Sequence, residues 1–106
     1  MQTKSGGEPS DEGHYVVIKG RKWRATDPLL PEDVAAELRR HLMAARRAVR
    51  DALRQEDSAA EGRARARVQL AKTALGERGV AWWEQSDAKR RERWEDGLKH
   101  LREEQP

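Results

Sequence analysis

From Pro31 to Arg54 the chain reads PEDVAAELRRHLMAARRAVRDALR. Within it Ala35, Leu38, Leu42, Ala45, Val49 and Ala52 recur at steps of 3 or 4 residues. An α-helix turns once every 3.6 residues, so this spacing gathers the apolar side chains into one heptad-like seam. Pro31 suits the first turn, where its missing N–H removes no hydrogen bond. Glu32 and Asp33 suit the positive end of the helix dipole. The stretch 31–54 therefore reads as one amphipathic helix. Gln55-Glu56-Asp57-Ser58 then breaks the pattern and is short enough to return the chain antiparallel. A second helix over 58–75 places Ala60, Ala64, Val68, Ala71 and Leu75 on one stripe, with Leu70 and Ala74 on its flank. Gly62 weakens it modestly, and Gly76 is placed to end it in a left-handed conformation. Two stripes of matching length and chemistry make an Ala-rich antiparallel helical hairpin.

Working outward, residues 14–26 (HYVVIKGRKWRAT) read as a β-hairpin. A β-branched run meets a two-residue Lys19-Gly20 turn, which pairs Ile18 with Arg21, Val16 with Trp23 and His14 with Ala25. Strand alternation then puts Val16, Ile18, Trp23 and Ala25 on one apolar face, with Tyr15, Val17, Lys22 and Arg24 on the other. A lone hairpin is marginal in water, so the Trp23 face is expected to dock. Thr26 to Leu30 connects it to the first helix. On the other side, Ser86 offers an N-cap for a third helix over 86–102, whose apolar stripe is only Trp94, Leu98 and Leu101 and whose interior holds Gly97. Residues 1–13 (MQTKSGGEPSDEG) lack apolar side chains beyond Met1 and read as a disordered tail. The expected fold is mainly α: an N-terminal β-hairpin, an antiparallel helical hairpin and a weaker third helix, forming one small domain over residues 14–106.

Composition narrows the function. Among 106 residues there are 22 Lys and Arg against 19 Asp and Glu, no cysteine and four tryptophans. The absence of cysteine removes disulfides and thiolate chemistry. No apolar run exceeds four residues, so no membrane span and no secretory signal core is read, and a cytoplasmic setting is expected. The aliphatic content is thin. Trp82 and Trp83, aided by Trp23, are expected to help close the core, the alternative being an exposed partner anchor.

Charge is distributed unevenly around the first helix. Taking ~100° per residue, Arg39, Arg40, Arg46, Arg47, Arg50 and Arg54 fall in one sector beside the apolar seam. Lys22 and Arg24 on the hairpin extend this candidate binding surface. Residues 14–54 hold 10 basic and 5 acidic side chains, whereas residues 77–106 hold 7 and 8. Guanidinium forks suit carboxylates and phosphates. The favoured reading is a non-catalytic interaction or accessory module, with an acidic protein partner or self-association through the Ala-rich stripes. The alternative is a sequence-tolerant nucleic-acid-binding protein, with Tyr15 or Trp23 stacking on a base. A blander account has Glu84, Asp87, Glu92, Glu95, Asp96, Glu103 and Glu104 folding back to neutralise the arginines.

Catalysis finds little support. His14, His41 and His100 lie in different elements. Glu37 and His41 are four apart, but no second ligand pair accompanies them, so no metal site and no cofactor is expected. Gly76-Glu77-Arg78-Gly79 lacks the ending of a phosphate loop, and no serine sits in a nucleophile setting.

The string Val17-Ile18-Lys19-Gly20-Arg21-Lys22-Trp23-Arg24-Ala25-Thr26-Asp27-Pro28 resembles the start of a family of small uncharacterised bacterial proteins. Leu42-Met43-Ala44-Ala45-Arg46-Arg47-Ala48-Val49 and Ala74-Leu75-Gly76-Glu77-Arg78-Gly79 with Trp82-Trp83 resemble it too. Some members carry the automatic label "biopolymer transporter Tol". The resemblance spans about residues 15–83 and implies no established activity, cofactor or catalytic residue.

Overall fold

The computed structural model describes residues 13–103, so most of the tail read at 1–13 lies outside the described residues. Strands β1 (Tyr15–Ile18) and β2 (Arg21–Arg24) are followed by helices α1 (Glu32–Arg54) and α2 (Ser58–Ala74), a single 3-10 turn (Trp82–Glu84) and α3 (Asp87–Glu103). The chain is thus mainly helical, with an antiparallel two-stranded hairpin at its N-terminal end. No described helix is long and apolar enough to cross a membrane.

The hairpin has the register that a two-residue turn dictates: Ile18 opposite Arg21 and Val16 opposite Trp23. The Ala25 N–H donates to the His14 carbonyl at 2.8 Å, which extends the ladder by a pair. Lys19 (φ +53°) and Gly20 (φ +80°) are both left-handed, as a type I′ turn requires. Docking departs from expectation. The Trp23 face stays largely open, with Val16 44%, Ile18 55% and Trp23 37% exposed. The hairpin is anchored instead at its open end, by residues from both of its faces. Tyr15 meets the Trp83 ring edge-on at 5.6 Å, Arg24 lies over Trp83, and the Arg24 guanidinium donates to the Gly79 carbonyl at 2.7 Å. His14 stacks flat on Trp83 at 3.9 Å and meets Trp82 edge-on. Trp82 is buried and donates its indole N–H to the Ala25 carbonyl at 3.0 Å, while Trp83 is half-buried. Trp23 therefore has no part in closing the core. Its aromatic neighbours in sequence could not reveal this, because the Trp83 contact joins distant parts of the chain.

Helix α1 begins one residue after Pro31, whose carbonyl accepts from the Ala35 N–H at 3.0 Å; the proline thus sits at the cap, not inside the first turn. At its far end Glu56 takes a left-handed φ of +54°. The Glu56 N–H bonds to the Leu53 carbonyl and the Asp57 N–H to that of Ala52, a Schellman arrangement. Asp57 then caps α2, its carboxylate accepting from the Ala60 N–H at 3.0 Å. Gly76 repeats the Schellman geometry at the end of α2. Ser86 caps α3 through the Lys89 N–H.

The core lies at one end of the helical hairpin. Leu38 and Leu42 of α1, Ala71 and Ala74 of α2, Leu75, and Trp94, Leu98 and Leu101 of α3 pack together. Trp94 docks α3, as its sparse stripe requires. Asp27, 1% exposed, ties three segments at this end. Its N–H donates to the Leu75 carbonyl, and its carboxylate accepts from the Leu29 N–H and from the guanidinium groups of Arg90 and Arg93. Those partners hold its pKa below the usual carboxylate range although burial pushes the other way. Toward the opposite end, Ala45, Ala52 and Ala64 are buried, but the seam residue Val49 is only half-buried.

Candidate functional site

The six arginines of α1 are all exposed. Arg54 pairs with Asp51 three residues back along the same helix. Arg39, Arg40, Arg46, Arg47 and Arg50 make no ion pair among the described residues. Two of the C-terminal acids are paired within α3. Glu92 lies 3.6 Å from Lys89 and Asp87 lies 3.6 Å from Arg90. A bridge from α3 back to α1 runs the other way in charge, with Arg102 donating to both oxygens of Glu37 at 2.8 and 2.6 Å. Among the described residues, neutralisation of the α1 arginines by C-terminal acids does not occur; Glu104 lies outside them.

The arginines do not form one site. Arg39 borders a depression beside Thr26, Pro28 and Leu30, whereas Arg40 borders another with Glu37 and His41. Arg46 and Arg50 instead line a groove of about 500 Å³ between α1 and α2. Its floor is aliphatic, from Val49 and Val68. Its far bank is α2, which contributes Arg65, and the loop beyond α2 adds Arg78. Arg78 donates to the Gln69 side-chain oxygen at 2.5 Å, and Arg65 to Glu61 at 2.7 Å.

A second depression of about 400 Å³ adjoins the first and shares Arg46 with it. It is bounded by Val16, Ile18 and Trp23 of the hairpin and by Lys72 of α2. Burial lowers the Lys72 pKa, and the nearby positive charges of Arg78 and Arg46 lower it further, against a smaller opposing pull from Glu77. Glu77 itself accepts from the Thr26 hydroxyl at 2.6 Å. Among the described residues, positive charge in this corner thus exceeds the negative charge set against it.

The hairpin cations expected to extend the binding surface have internal work. Arg24 is held by Gly79 and Trp83, and Lys22 lies 4.5 Å from the Tyr15 ring centroid. Arg65, Lys72 and Arg78 are not among the residues that the sequence singles out. A signal for two of them is present nonetheless: Arg65, Gln69 and Lys72 step by 4 and 3 along α2, beside its apolar stripe. Among the described residues no cluster of three or more His, Asp or Glu side chains could hold a metal. His41 is buried and hydrogen-bonds Glu37 at 3.2 Å.

No protein-family model, no curated protein and no solved structure matches the chain.

Proposed function

We propose that this chain is a non-catalytic interaction module, working in the cytoplasm, whose exposed α1 arginines seat an acidic protein partner. One observation carries the reading: Arg46 and Arg50 stand open to solvent in a groove, with no acid of the described chain paired to them. Guanidinium groups in such a setting bind carboxylates through paired, charge-assisted hydrogen bonds. The Ala-rich stripes are consumed inside the chain, where Ala45, Ala52 and Ala64 are buried, so self-association would also have to use an outer surface. Affinity capture with wild type and with Arg46→Glu/Arg50→Glu tests the proposal. Partners retained by the first and lost by the second support it; identical partner sets remove the arginine face from the contact.

A second reading, sequence-tolerant nucleic-acid binding, draws on the unbalanced corner of Arg46, Lys72 and Arg78. Phosphates would supply the missing negative charge, and affinity would fall steeply with salt. Anisotropy titrations with labelled single- and double-stranded oligonucleotides at two salt concentrations check it. Absence of binding at low salt eliminates this reading.

A further inference from the structure

The two depressions that meet at Arg46 differ in character. The groove between α1 and α2 is cationic on both banks over an aliphatic floor. The hairpin depression is walled by Val16, Ile18 and Trp23 and bordered by Lys72. β-Branched side chains left this open beside a tryptophan form the kind of apolar surface that soluble chains keep for a ligand. Resting on the binding role proposed above, the geometry points to one occupant: an acidic peptide segment carrying aliphatic side chains. Its carboxylates would lie on Arg46, Arg50 and Arg65, and its aliphatic groups against Val16 and Ile18.

Charge complementarity selects the first half of that ligand. Arg46 and Arg50 have no carboxylate among the described residues. Arg65 has only Glu61, an exposed partner four residues away on the same helix, and such pairs are weak enough to exchange for a better one. The walls select the second half. Val49 and Val68 below and Val16 and Ile18 beside them offer contact to Leu, Ile or Val, and little to a sugar-phosphate chain.

The aromatic residues argue in the same direction. A nucleic acid strand held in a basic groove gains much of its affinity by stacking bases on open rings. Tyr15 and Trp23 are the exposed aromatic residues in the described chain. Trp23 already carries Arg21 at 4.5 Å and Lys72 at 5.4 Å from its ring centroid. Tyr15 carries Lys22 at 4.5 Å and abuts Trp83. Stacking would have to displace these cations, whereas an aliphatic side chain can lie beside Val16 and Ile18 with them in place.

The experiment uses the full chain and three fluorescein-labelled probes. These are a short Asp/Glu peptide with interspersed leucines, the same peptide with every leucine replaced by serine, and an oligo-dT of equal length. Anisotropy gives each affinity at low and at physiological salt, and circular dichroism confirms that every variant stays helical. The leucine peptide should bind tightest. Arg46→Glu/Arg50→Glu should weaken it by about tenfold or more, the scale of losing one charge-assisted contact. Val16→Ser/Ile18→Ser should weaken the leucine peptide and leave the serine peptide unchanged. Arg40→Glu/Arg47→Glu, which alters α1 outside the groove, should have the smallest effect. If both arginine pairs matter equally, the groove is wrong while the broader role of the α1 face survives. If oligo-dT binds more tightly than the leucine peptide, the occupant is a nucleic acid and the peptide assignment falls. If neither peptide binds even at low salt, the groove and the proposed role fall together.

Discussion

At Gly97 a missing side chain decides how α3 meets α2. A Cβ built there would lie 2.5 Å from the Ala74 Cβ and 3.6 Å from its Cα. Neither atom can swing away, because an alanine Cβ is fixed to its backbone. Glycine in a helix interior is worse than alanine by ~1 kcal/mol, and overpacking a core costs ~1–3 kcal/mol. The two terms oppose each other, and the close approach should win. Gly97→Ala is therefore expected to lower the thermal midpoint by several degrees, the response of a small domain to ~1 kcal/mol. Gly62 supplies the contrast, since a Cβ at that position on α2 would meet nothing within 4 Å. Gly62→Ala should raise the midpoint by a similar amount, through helix propensity alone. Thermal melts of the two variants side by side check the pair, and equal signs would refute the packing account.

Between α1 and α2 the turn works against its own residue type. Glu56 holds a left-handed backbone that glycine adopts without the clash a Cβ imposes. Its exposed side chain makes no contact that a replacement would forfeit among the described residues. Glu56→Gly should stabilise the chain by ~0.5–1 kcal/mol after the entropy of the unfolded glycine is counted. Urea unfolding reads this as a higher midpoint at unchanged slope. The turn itself was legible, because Gln55 to Ser58 interrupts two apolar periodicities. The two helices were legible for the same reason, as was the hairpin register, which a two-residue turn fully specifies. Docking of the hairpin was not. How its open end is held depends on His14 stacking on Trp83 across 69 positions of sequence, a tertiary contact with no local trace. The candidate groove was half legible. Wheel geometry singled out Arg46 and Arg50, but the alanine stripe of α2 dominates its pattern and hides Arg65 and Lys72 beside it. Asp27 was legible only as part of a turn, since nothing in Thr26-Asp27-Pro28 signals that Arg90 and Arg93 will close over it.

Over the whole molecule, two carboxylates outside α3 fasten that helix to the rest. Glu37 on α1 receives Arg102, and Asp27 before α1 receives Arg90 and Arg93. The hydrogen bonds from Arg102, outweighing burial and helped by His41, hold the Glu37 pKa down to about 2. Asp27 is also held below its ordinary range. A carboxyl whose folded pKa is depressed stabilises the fold above its unfolded pKa, and that contribution is lost as pH falls through the folded one. For Glu37 the loss therefore runs from the ordinary glutamate range near pH 4 to 5 down to about pH 2. Arg102 is 59% exposed, so solvent and salt screen its share and the Glu37 contribution is smaller than the shift alone implies. Asp27 is fully enclosed, and its protonation would leave Arg93 without its carboxylate and Arg90 with only the exposed Asp87. The melting temperature of the wild type should thus be level near neutrality and fall between about pH 5 and pH 2. Glu37→Gln should lower it modestly at pH 7 and make little difference at pH 2, where the wild-type carboxylate has largely lost its advantage. Asp27→Asn should lower it much more at pH 7, because it breaks a buried pair from one side. Melts across this pH range at low salt test both. A Glu37→Gln deficit that is as large at pH 2 as at pH 7 would show that the side chain acts through its shape, and that charge does not hold α3 in place.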